Sequence, residues 1–97
     1  MKFKLANKDG TPLHLGLVNK ILDAIGHKHV ADIPIIEEGI IYPTIEILDE
    51  EYERTLFKIQ KVLGFPEHLD IEFNGPIPPF TEGKFPTKIS ILYKGEF

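Results

Sequence analysis

The sequence predicts a single α+β domain, a two-layer sandwich with two helices on one face of a mainly antiparallel sheet. Three observations lead to this expectation. Two segments repeat apolar residues at helical spacing, and several short segments alternate apolar and polar residues as half-buried strands do. The chain of 97 residues is also long enough for only one hydrophobic core. We therefore expect residues 1–97 to form one domain.

The first two elements are a strand and a helix. Residues 2–6 alternate apolar side chains with lysines and predict a short strand. Thr11 offers a hydroxyl cap, and Pro12 fits the first helical position because its missing N–H costs nothing there. Gly26 is a typical residue just beyond a helix end. The sequence therefore predicts a helix over residues 12–25.

The isoleucine-rich segment that follows is predicted to be extended. A Glu-Glu-Gly turn at residues 37–39 separates a run at 33–36 from a second run at 40–48. Pro34 and Pro43 lack a backbone N–H, so we expect both runs at a sheet edge or at strand ends.

A second helix is predicted after Asp49, which we expect to cap it. Glutamates occupy its first turn, where the helix dipole favours negative charge. An apolar stripe then repeats at helical spacing: Tyr52, Leu56, Ile59 and Leu63. Gly64 is predicted to end the helix, and Pro66 to prevent its resumption.

Two further strands complete the predicted sheet. Residues 69–74 and 88–94 both alternate apolar and polar side chains, and the prolines between them at 76–79 predict an extended loop. The predicted order, β-α-β-β-α-β-β, is loosely ferredoxin-like. Two helices suffice to cover one face, so we expect the opposite, mixed-charge face to lie in water.

Composition excludes several classes of protein. There is no cysteine, which excludes disulfide scaffolds and thiolate chemistry. The net charge is -4, both halves are mildly acidic, and no basic stripe is present, so we expect no nucleic-acid partner. No apolar run is long enough for a membrane span, and no signal-type segment is present, so a cytoplasmic protein is expected. We also expect no cofactor. Abundant Ile, Lys and Glu are typical of thermophiles and equally of AT-rich genomes.

A candidate metal site lies around the end of the first predicted helix. His27 and His29 would point the same way in extended backbone, and Asp32 or Asp23 could supply an oxygen ligand. The alternative is a polar loop, in which cationic residues suit the C-terminal end of a helix. A metal-dependent or histidine-using enzyme is therefore the alternative function.

His14 is a second candidate for histidine chemistry. In a helix starting at residue 12 it falls inside the apolar arc, where it could act as a tuned acid or base. We prefer a partly buried core histidine with a hydrogen-bonded ring, because no nucleophile or orienting acid is near it in sequence. In the core, His14→Leu should be tolerated better than His14→Ala.

The proline-rich stretch at residues 74–80 is unusual. A strand leading into Gly-Pro-x-Pro-Pro-aromatic is similar to loops in gas-vesicle accessory proteins, and that resemblance implies an assembly role. It covers a short part of the chain, and Ile77 stands where that family often has Trp. We prefer a rigid connection between strands.

Surplus apolar surface is the main functional indication. The apolar residues of the first helix span about 200° of its circumference, whereas a helix on a sheet needs about 100–140°. The extra sector is Leu15, Val18 and Leu22, and Phe57 lies off the stripe of the second helix. Phe80 in the proline loop could join this surface. The sequence predicts a non-catalytic interaction or assembly module that forms a homodimer or binds another protein. Packing of this surplus under the proline loop is the internal alternative.

Overall fold

The computed structural model describes residues 2–30, 34–74 and 88–95, and it confirms the α+β class. Its helices are α1 (Leu15–Ile25), α2 (Tyr52–Leu63) and the short α3 (Phe65–His68). Its strands are β1 (Lys2–Asn7), β2 (Ile35–Glu37), β3 (Ile40–Tyr42), β4 (Thr44–Glu46), β5 (Leu69–Asn74) and β6 (Lys88–Tyr93). Two 3-10 turns follow α1 and precede α2, at His27–His29 and Asp49–Glu51.

The main sheet has the strand order β4-β1-β6-β5 and is mixed. Its two outer pairs are antiparallel, as expected, but the central strands β1 and β6 are parallel, with Leu5 opposite Ile91. Parallel neighbours need a long crossover connection. Within the described residues, that connection contains all three α-helices and the four remaining strands.

One face of this sheet carries the hydrophobic core, and both helices pack on it. Phe3 of β1 and Ile91 of β6 are buried there against Ile21 of α1 and Ile59 of α2. Burial of each such side chain contributes roughly 1.5–3 kcal/mol to the free energy of unfolding. The two helices also contact each other, so the helical layer is continuous.

The second face is partly covered by a hairpin of β2 and β3. Glu38 and Gly39 form its turn with positive φ of 52° and 79°, the geometry of a type I′ turn. The Lys4 ammonium of β1 forms an ion pair with the Glu37 carboxylate at 2.9 Å. It also lies 4.6 Å from the centre of the Tyr42 ring. The expectation that this whole face lies in water was therefore wrong.

The first helix begins later than predicted, at Leu15. Pro12 forms a bridge with Ala6, and the N–H of Leu13 donates to the carbonyl of Leu5, so the chain stays extended beside β1. The Thr11 hydroxyl donates to Asp9 instead of capping a helix.

The second helix has the predicted buried stripe but different ends. Asp49 does not cap it, because a 3-10 turn precedes the α-helix, which begins at Tyr52. Gly64 follows its last residue with a φ of 83°, which favours glycine. Helical structure then resumes for one turn at Phe65–His68, since Pro66 is tolerated in a first turn.

Candidate functional site

An apolar groove of about 400 Å³ lies between α1 and the β3–β4 segment. None of the residues that line this groove is charged. They are Pro12, Leu15, Val18, Leu22, Val30, Pro34, Ile41, Tyr42, Pro43 and Thr44. Its volume falls in the range of ordinary ligand-binding clefts.

The α1 wall of the groove is the extra apolar sector predicted from the sequence. Leu15, Val18 and Leu22 follow one another at helical spacing, so they share one side of the helix. Val18 and Leu22 are buried and form the floor, while Leu15 is 71% exposed at the rim. Val18 and Leu22 belong to the same core cluster as Ile21 and Ile25, so the groove floor is continuous with the hydrophobic core.

The opposite wall comes from the hairpin. Ile41 is 63% exposed, and its register partner Ile36 is 61% exposed beside it. Residues directly opposite in an antiparallel pair share a face, so the two isoleucines extend the apolar surface beyond the groove. Tyr42 alternates to the other face, is buried, and donates its hydroxyl to the carbonyl of Gly10 at 2.6 Å.

The hairpin residues of the groove were not among the predicted interaction residues. Alternation around Tyr42 could have shown that Ile41 and Tyr42 face opposite ways. It could not show which of them faces outward, because that depends on the contacts of Lys4 with Glu37 and Tyr42. Those contacts join segments distant in sequence.

Of the two other predicted interaction residues, only Phe57 lies within the described part of the chain. Phe57 is 56% exposed on α2, as its off-stripe position predicted, and is not among the groove residues. Phe80 lies outside the described residues, together with the remainder of the proline-rich loop from residue 75 onward.

The structure does not bring the histidines of the candidate metal site together. A 3-10 turn places residues two apart about 120° from each other, unlike extended backbone. His27 is exposed and pairs with Asp23 at 2.8 Å, whereas His29 is buried and its Nδ1 lies 2.8 Å from the carbonyl oxygen of Glu46. Asp32 lies outside the described residues. Within the described ranges, no three His, Asp or Glu side chains are grouped as metal ligands.

His14 is not a core residue, which corrects the expectation. It is exposed at the position preceding α1, and its Nδ1 accepts a hydrogen bond from the N–H of Gly16 at 3.0 Å. The expectation failed because His14 has extended backbone, with φ of -59° and ψ of 138°, so a helical projection does not apply to it.

Two groups in the described part of the chain with a shifted pKa, Tyr52 and Asp9, lie outside the groove. Burial raises the pKa of Tyr52, with a smaller contribution from the negative charge of Glu53, and the Tyr52 ring stacks on Phe3 with 6.1 Å between centroids. Hydrogen bonds from Thr11 lower the pKa of the exposed Asp9. The groove residues themselves offer apolar contact rather than proton transfer.

Comparison with known proteins gives no relative from which a function could be transferred: no protein family, curated protein or solved structure matches this chain significantly. The loop pattern at residues 74–80 is thus not accompanied by a family match. Among the described residues, the helices are too short or too polar to cross a bilayer.

Proposed function

We propose that this chain is a non-catalytic protein-interaction module that forms a homodimer through the apolar groove. One observation carries the proposal: Leu15 and Ile41 stand exposed on either side of a depression whose floor is Val18 and Leu22. Exposed apolar side chains thus adjoin a depression with a mainly apolar lining.

The energetics favour covering this surface. A domain of this size has a high ratio of surface to volume, so it has little apolar area to spare. Full burial of a Leu or Ile side chain yields roughly 1.5–3 kcal/mol, from which the entropy cost of association is subtracted. Burial of Leu15, Ile36 and Ile41 in an interface therefore favours association.

The shape of the surface favours a second copy of the chain as the partner. Protruding side chains and a depression lie on the same surface, so under a twofold axis each copy can insert Leu15 or Ile41 into the groove of the other. The groove has no charged lining residue that would demand an oppositely charged partner.

Sedimentation of the full chain at micromolar concentrations tests the proposal. We expect a dimer for the wild type and a monomer for Leu15→Glu and Ile41→Glu, because each buries an unpaired charge in the interface. Leu48→Glu is the matched control, since Leu48 is equally apolar and about half exposed but does not line the groove. Circular dichroism checks that all variants remain folded.

The result that contradicts the homodimer is a wild type that remains monomeric throughout this concentration range. Dissociation by Leu48→Glu to the same extent as by Leu15→Glu would also contradict it, because association would then not depend on the groove. Phe57→Glu tests the wider surface predicted from the sequence: loss of the dimer would extend the interface onto α2.

A further inference from the structure

A second, chemically different site lies at the C-terminal end of α1. A small polar cavity of about 110 Å³ separates the 3-10 turn after α1 from the first turns of α2. Its lining residues are Ile25, Lys28, His29, Glu51, Arg54, Thr55 and Lys58. We call it the basic cavity.

The charge of the basic cavity is opposite to that of the chain. Lys28, Arg54 and Lys58 bring three cations against one carboxylate, while the whole chain has a net charge of -4. Helical spacing puts Arg54 and Lys58 on one face of α2, and Lys28 closes the cavity from the 3-10 turn. Across the described residues, no carboxylate oxygen lies within 4 Å of these three charged groups.

His29 supplies a buried ring nitrogen to the same cavity. Its Nδ1 lies 2.8 Å from the carbonyl oxygen of Glu46, and a carbonyl can only accept, so Nδ1 carries the hydrogen. The remaining nitrogen, Nε2, lies 3.9 Å from the Glu51 carboxylate, which is beyond hydrogen-bond distance. The side chain of His29 is 7% exposed, so this nitrogen sits in a largely desolvated position.

We propose that the basic cavity binds a phosphate group, either as free phosphate or on a phosphomonoester. The guanidinium of Arg54 offers a planar pair of donors suited to two phosphate oxygens, and the ammonium groups of Lys28 and Lys58 add charge. Nε2 of His29 accepts a hydrogen bond from a P–OH group. The cavity volume of about 110 Å³ is large enough for one phosphate group.

This assignment does not depend on the dimer proposed above, since the two sites share no lining residue. The three cations also make the basic cavity unsuitable for a metal ion. It shares His29 with the metal site considered above but has a different chemistry.

The test is a titration of the ¹⁵N-labelled full chain with inorganic phosphate at constant ionic strength, followed by NMR. We expect saturable shifts at the amides of Lys28, His29 and Thr55, and a change in the Nε2 resonance of His29. Arg54→Gln and Lys58→Gln should each raise the Kd for phosphate about tenfold. Both side chains are exposed, so these variants should remain folded.

Lys61→Gln is the matched control, because it makes the same charge change one turn along α2 outside the cavity. It should leave the Kd within about twofold of the wild type. Equal weakening by Lys61→Gln and Lys58→Gln would show general charge attraction and overturn the proposal, as would shifts that never saturate. O-phosphoserine distinguishes the sources: binding comparable to that of phosphate supports a phosphorylated ligand, and binding of phosphate alone supports the free ion.

Discussion

The Nδ1 atom of His14 accepts a hydrogen bond from the backbone N–H of Gly16 at 3.0 Å and thereby caps α1. The first N–H groups of a helix have no partner within the helix, so a side chain that accepts from one of them stabilises the helix. Imidazole performs here the role usually taken by Ser, Thr, Asp or Asn.

His14→Ala should therefore reduce the free energy of unfolding by about 1 kcal/mol, the usual cost of losing a capping side chain. His14→Asn should keep most of this stability because Asn is a good cap, while His14→Leu should behave like His14→Ala. Urea denaturation of the three variants measures the effect. If His14→Leu proves clearly more stable than His14→Ala, the side chain acts through packing instead of capping.

Gly16→Ala should stabilise the protein more when His14 is absent than when it is present. Alanine in place of glycine within a helix normally stabilises by about 0.5–1 kcal/mol. At Gly16, however, the new Cβ would lie 3.0 Å from Nδ1 of His14 and disturb the cap. We expect the full gain in the His14→Ala background and little gain or a loss in the wild type. Equal effects in a double-mutant cycle would show that the cap tolerates the methyl group.

Tyr42→Phe should reduce the free energy of unfolding by about 1 kcal/mol. The phenol donates to the carbonyl of Gly10 at 2.6 Å, and the buried ring keeps its contact with the Lys4 ammonium in either variant. Tyr52→Phe is the control, because no described hydrogen bond involves the Tyr52 hydroxyl. Chemical denaturation compares the two, and an equal loss in both would show that the bond to Gly10 contributes nothing measurable.

The pKa of Asp9 should rise when Thr11 loses its hydroxyl. The Thr11 side chain and backbone N–H both donate to this carboxylate, which lowers its pKa below 3.8. A lowered pKa means that the charged form favours the folded state, so its contribution is present above the unfolded pKa and is lost as pH falls through the folded value. NMR titration should show a higher pKa in Thr11→Val and an unchanged one in Thr11→Ser. An unshifted pKa in Thr11→Val would assign the effect to the backbone alone.

Local patterns predicted most of the elements, because each pattern reports the burial of its own segment. The stripe of Leu56, Ile59 and Leu63 is buried as its spacing indicates. The predicted start of α1 was wrong because the residues expected to cap and begin the helix have other hydrogen-bond partners. The Thr11 hydroxyl is taken by Asp9, and Leu13 pairs with β1 before the helix begins.

The sequence predicted only the α1 wall of the groove, because local patterns report on one segment at a time. Leu15, Val18 and Leu22 belong to one helix, so their surplus over the width needed for packing on a sheet could be counted. The outward position of Ile41 depends on how the hairpin lies on a distant strand, which no local pattern contains. The parallel pairing of β1 with β6 is equally non-local.

That central pairing has a consequence for synthesis on the ribosome. Translation produces β1 well before β6, so for most of that interval the edge of β1 that β6 will occupy has no partner. An open strand edge with apolar neighbours is prone to pair with other chains. The nascent polypeptide therefore completes its sheet only after β6 has left the exit tunnel, and until then this edge of β1 lacks its native partner.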